Sequence, residues 1–121
     1  MNEGKVPTFL YKIVSIDNWD ATKHTIIELE SNDTEFIHFS MDDQWRKIVT
    51  KRYANKSYVL LTIDTTKLDG IWKYEFDASM REKWWHLYNG TISDRSIVSM
   101  KIVDNYKIRY HVHKLDIRSR T

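Results

Sequence analysis

EFIHFSMDDQW, Glu35 to Trp45, sets two short patterns end to end. In its first half Phe36 and His38 share one side and Ile37 and Phe39 the other, which reads as a strand covered on both faces. In its second half Ser40 stands as a helix cap, with Asp42 and Asp43 in a first turn where acids favour the positive end of the dipole. Beyond it, Trp45, Ile48, Val49, Arg52 and Tyr53 recur at steps of three and four, so this helix buries Trp45, Ile48 and Val49 and exposes Arg46, Lys47 and Lys51.

Working outward, TFLYKIV (Thr8 to Val14) reads as a first strand, and Asp17 caps a short helix through Lys23 with Trp19 facing inward. HTIIELE extends again before SNDT turns the chain. SYVLLTID is nearly continuously apolar, the habit of a strand in the middle of a sheet. IWKYEF alternates, with Trp72, Tyr74 and Phe76 on one side and Lys73 and Glu75 on the other. SIVSMKIV and YKIRYHVH complete the set as strands joined by a turn at Asp104 and Asn105. The expectation is an α+β domain with an antiparallel-rich sheet and two short helices.

The bulk properties agree. A chain of 121 residues with 41% hydrophobic and 13% aromatic residues, three glycines and one proline can bury a core as a single domain, 1–121. Without cysteine there is no disulfide, thiolate metal site or cysteine nucleophile. The start, MNEGKVPTFL, lacks the apolar run of a signal peptide and no stretch is long enough for a membrane span, so the expected setting is cytoplasmic, away from membranes. The three N-x-S/T matches at Asn32, Asn55 and Asn89 then read as turns. Net charge is +2, unevenly placed: the segment from Lys101 onward carries +4 and the remainder −2. That basic C-terminal strand, 101–121, is the one feature that would meet nucleic acid, a role the low net charge disfavours. It leaves monomer and homodimer both open.

Three groups of residues carry candidate chemistry. His38 and Ser40, two apart on a strand, share a face and could hold a ribose or phosphate or act as base and nucleophile, although a capping serine and a backbone-satisfied histidine have the same spacing. Glu75 could stabilise positive charge developing at a sugar carbon, or form a solvated surface pair with Lys73. His86 sits in KWWHLYNG among Trp84, Trp85 and Tyr88, which could stack on a flat ring or simply fill a core. His111 and His113 share a strand face but lack a third ligand, so no metal is expected.

Read in order, LYKIVSIDNW, FIHFSMDDQW, YVLLTID, WKYEF, WWHLYNGTI and SIVSM resemble the bacterial family known as domain of unknown function 952, across residues 9–100. The resemblance implies an ADP-ribosyltransferase-like fold with a split sheet, similar to RNA 2′-phosphotransferase and the NAD-using transferases. It would line the cleft with Lys12, His38, Ser40, Glu75 and His86. Lys12 stands where the NAD-using enzymes place a histidine, Glu35 replaces the glycine before Phe-Ile-His, and Trp85 replaces the proline before His-Leu-Tyr. The function implied is a nucleotide-binding transferase using NAD: Glu75 and His38 are the catalytic candidates, Lys12 faces a pyrophosphate, Ser40 and His86 hold the ligand, and Trp85 or Tyr88 stacks on a ring. The alternative is a non-catalytic module on the same fold that binds a nucleotide, a metabolite or a protein.

Overall fold

The computed structural model describes residues 5–21, 30 and 33–104. Among them, β1 (Phe9–Ser15), β3 (Tyr58–Asp64) and β6 (Ile97–Val103) form one antiparallel sheet in the order β1-β3-β6, and β2 (Ile37–Phe39), β5 (Glu82–Tyr88) and β4 (Ile71–Asp77) form a second in the order β2-β5-β4. The sheets are stitched where Tyr11 and Ser40 exchange two backbone hydrogen bonds of 2.8 Å. Two α-helices, α1 (Ile16–Ala21) and α2 (Trp45–Arg52), complete a small α+β protein with a split antiparallel sheet.

The main core lies between the sheets. Alternation sends Leu10 and Val14 of β1, Val59, Leu61 and Ile63 of β3, Ile37 and Phe39 of β2, and Trp85 and Leu87 of β5 into it, each almost wholly removed from water. Full burial of such side chains contributes roughly 1.5–3 kcal/mol apiece before ordering entropy is set against it. β3 is the middle strand of its sheet, as its apolar run implies. A second cluster of Ile13, Tyr53 and Tyr58 takes up Trp45, Ile48 and Val49 of α2, while Arg46, Lys47 and Lys51 face solvent.

Three local expectations change. Ser40 is no helix cap: its backbone is consumed by the bridge to Tyr11, residues 42–44 form a turn, and α2 begins at Trp45. In that turn Gln44, 1% exposed, accepts from the Met41 N–H and donates to the Lys83 carbonyl, fixing the helix start against β5. Helix α1 is capped by Ser15, whose Oγ accepts from the Asn18 N–H, with Asp17 already inside the first turn. KWWHLYNG supplies a full strand, β5, at the centre of the second sheet. Its run of large side chains hides the alternation, because both faces are covered. Asn55 and Asn89 do sit in turns, with φ of 62° and 57°. Asn32, most of HTIIELE, the end of the Asp104–Asn105 turn, YKIRYHVH, His111 and His113 lie outside the described residues.

Candidate functional site

β2, β5 and β4 lie side by side, and the face turned away from the main core carries Phe36 and His38, then Trp84, His86 and Tyr88, then Lys73, Glu75 and Asp77. Register sets His38 opposite His86 and His86 opposite Lys73. The two imidazoles meet edge to face with centroids 5.1 Å apart, and Phe36 stacks on His86 at 4.0 Å while reaching His38 at 4.8 Å and Tyr88 at 4.9 Å.

A carboxylate anchors each imidazole. Asp33 Oδ1 accepts from His38 Nδ1 at 2.8 Å and from the His38 N–H at 2.9 Å. Its Oδ2 accepts from Lys12 Nζ at 2.8 Å and from the Glu30 N–H at 3.1 Å. Burial opposes ionisation of Asp33, yet the His38 hydrogen bonds and the Lys12 charge prevail and hold its carboxyl down at about 2. Lys12 shares the core-facing side of β1 with Leu10 and Val14, so its ammonium is drawn out of water. It is satisfied by Asp33 and by the His38 carbonyl at 2.9 Å, and burial still pulls its pKa below the ordinary lysine value.

On the neighbouring strand β4, Glu75 Oε1 accepts from His86 Nδ1 and from the Tyr88 hydroxyl, both at 2.7 Å. The bond from His86 is the main reason Glu75 is more acidic than an ordinary glutamate, and the same carboxylate pushes the Tyr88 phenol up to about 12. Burial lowers the His86 pKa, with Glu75 opposing, so the ring is neutral at pH 7. A carboxylate can only accept, so Nδ1 carries the proton and Nε2 keeps its lone pair. That Nε2 is buried and has no hydrogen-bond partner among the described residues. Both histidines are thus oriented by a carboxylate on Nδ1, leaving Nε2 for a ligand, an arrangement suited to proton transfer and equally to holding a hydroxyl.

Next to the pair is a cavity of about 40 Å³ whose lining includes Lys12, His38, Ser40, Arg52, Asp77 and Trp84. Glu30, also on the cavity wall, accepts hydrogen bonds from Ser15, Asn18 and the Tyr53 hydroxyl, the last an interaction that reinforces burial in raising the Tyr53 pKa.

The structure brings Lys12, His38 and Ser40 to this cavity and His86, Glu75 and Tyr88 to the adjoining face. Trp85 is not brought there: it points into the main core, edge-on to Trp72 and against Tyr74 at 4.8 Å, because consecutive strand residues face opposite ways. Asp33 had read as part of the SNDT turn. The only signal for its role was an acid five residues before a strand histidine. Among the described residues no group of three or more His, Cys, Asp or Glu is arranged to hold a metal ion, and no helix is long and apolar enough to cross a membrane.

Residues 13–100 match the family model described as Protein of unknown function (DUF952). Among solved structures the chain is similar to the crystal structure of protein CC0527 from Caulobacter crescentus, with 26% identity, a TM-score of 0.67, and 80% of this chain and 87% of that chain covered. The solution structure of the same protein is similar at 24% identity and a TM-score of 0.60, covering 81% and 86%. No curated protein matches.

Proposed function

The chain belongs to the DUF952 family, and from its site we propose a nucleotide-binding transferase of the ADP-ribosyl type on an ADP-ribosyltransferase-like fold, with NAD as the donor substrate. The observation that carries this reading is the pair of carboxylate-anchored imidazoles, 5.1 Å apart, one presenting a buried Nε2 with no described partner. In such a transfer the bond between the ribose carbon and the nicotinamide nitrogen breaks, its electron pair going to the ring nitrogen, and the ribose carbon becomes an oxocarbenium ion. The Glu75 carboxylate supplies the negative charge that stabilises that cation. His86 Nε2 accepts from a ribose hydroxyl, Tyr88 and Phe36 flank the ring, and His38 takes the proton of the incoming acceptor as its oxygen bonds to the ribose carbon. Lys12, buried and paired with Asp33 at 2.8 Å, organises the site instead of meeting the pyrophosphate.

A second reading has a specific observation in its favour. The buried Lys12–Asp33 ion pair removes the central cation from ligand binding, which suits a non-catalytic module that recognises a nucleotide, metabolite or protein. Titration calorimetry with NAD, ADP-ribose and RNA bearing a 2′-phosphate, followed by turnover assays on Glu75→Gln, separates the readings. Heat with NAD and turnover lost in the folded variant support the transferase. Binding without turnover supports the module, and no heat with any of the three removes the nucleotide reading.

A further inference from the structure

Besides His86 Nε2, one more buried polar atom near the histidines lacks a hydrogen-bond partner among the described residues. Trp84 is 4% exposed, lies two residues before His86 on the same face of β5, and its indole Nε1 has no hydrogen-bond partner among the described residues. Indole is a donor only, and a buried donor left without an acceptor is rare in folded proteins. The cavity that Trp84 lines has room for about three water-sized positions, enough for a small planar polar group.

Charge narrows the choice. Lys12 and Arg52 on the walls are balanced by Glu30 and Asp77, and Lys12 is already held by Asp33 at 2.8 Å. Nothing is left over to compensate a phosphate or a carboxylate, whose desolvation needs a surplus of positive charge. The group must accept from Trp84 and also donate, because the cavity wall includes the Asp77 carboxylate, whose bonds from Ser79 and Met80 all fall on Oδ1. A primary amide does both while remaining uncharged. We propose that this cavity is a subsite for an uncharged primary amide of the substrate, its oxygen accepting from Trp84 Nε1–H and its N–H groups donating to Asp77. The proposal rests on the reading of this cleft as a ligand site and adds the chemistry of the group it selects.

The test is NMR titration of the full chain with propionamide, propionate and inorganic phosphate, following the Trp84 indole N–H, assigned by its loss in Trp84→Phe. Propionamide is expected to move that resonance saturably in the millimolar range while propionate and phosphate leave it in place. In Trp84→Phe, followed on the Ser40 and Met80 backbone amides, propionamide affinity should fall about fivefold, the weight of one neutral hydrogen bond. Asp77→Asn gives a second check, since it should weaken propionamide and, by leaving one positive charge uncompensated, let propionate begin to move the resonance. The proposal is overturned if phosphate or propionate moves the Trp84 resonance at lower concentration than propionamide, or if none of the three moves it and water alone occupies the cavity. The transferase reading is judged separately, by the response of the His86 ring to NAD. Propionamide binding without an NAD response would sink that reading and leave the amide subsite standing.

Discussion

Replacing Asp33 by Asn removes one charge while nearly conserving volume, and its consequence follows from the Lys12 ammonium left behind. Lys12 and Asp33 have side chains 5% and 0% exposed, so bulk solvent does not take over the lost partner. Removing one member of a buried pair costs about 3–5 kcal/mol, mostly for the uncompensated charge. A second route gives a smaller figure. The native Asp33 pKa of about 2, against 3.8 for the free group, corresponds to about 2 kcal/mol at 1.36 kcal/mol per unit. This part counts only the stabilisation of the carboxylate, so the full variant should lie above it. With a urea m-value of about 1.5–2 kcal/mol/M, Asp33→Asn should lower the unfolding midpoint by about 2 M at pH 7. Adding Lys12→Met should restore most of that loss, because no buried charge then remains. The pH dependence has a fixed sign: the native pKa is depressed, so the Asp33 contribution is complete above pH 4 and is lost as pH falls from about 4 to about 2. A loss below about 1 kcal/mol in Asp33→Asn, or a double variant no more stable than the single one, would refute the role assigned to this pair.

Other outcomes can be checked on the same footing. The His86 ring, observed by NMR, should titrate below 6.5; because its native pKa is depressed, the stability it carries as a neutral group should decline as pH drops through 6.5, and a value above 6.5 would contradict the burial argument. Gln44→Ala should lose about 2–3 kcal/mol in urea melts, since it leaves the Met41 N–H and the Lys83 carbonyl without their partner. Arg81 adopts φ 60° in the turn between β4 and β5, so Arg81→Asn should stabilise by about 0.5–1 kcal/mol, and a loss would show that the arginine side chain contributes there. Gly90→Ala should destabilise by about 1–3 kcal/mol, because its Cβ would come within 2.4 Å of the Asp69 carbonyl oxygen and 2.7 Å of a Leu87 methyl.

Much of the architecture was legible because it is written in local periodicity. Alternation placed β2 and β4, runs of strand-forming apolar residues placed β1, β3 and β6, and the three-and-four spacing found the buried face of α2. It also put His38 with Ser40, and Glu75 with Lys73, on shared faces. Helix starts were misplaced at Ser40 and Asp17 because a capping residue type is common, while its geometry depends on what the backbone is already bonded to. Strand β5 escaped because a strand covered on both faces loses the contrast between inside and outside.

What the residues determined alone, then, is which side chains share a face along each strand and that the chain makes an antiparallel α+β domain. Tertiary structure alone decided who meets whom across strands. It sent Trp85 into the core and His86 onto the cleft, set Glu75 against His86, and folded Asp33 back onto both Lys12 and His38. Those contacts depend on inter-strand register and on a pairing between residues 21 apart in the chain. A strand's own period of two fixes the face a side chain takes, but carries no information about the partner waiting there.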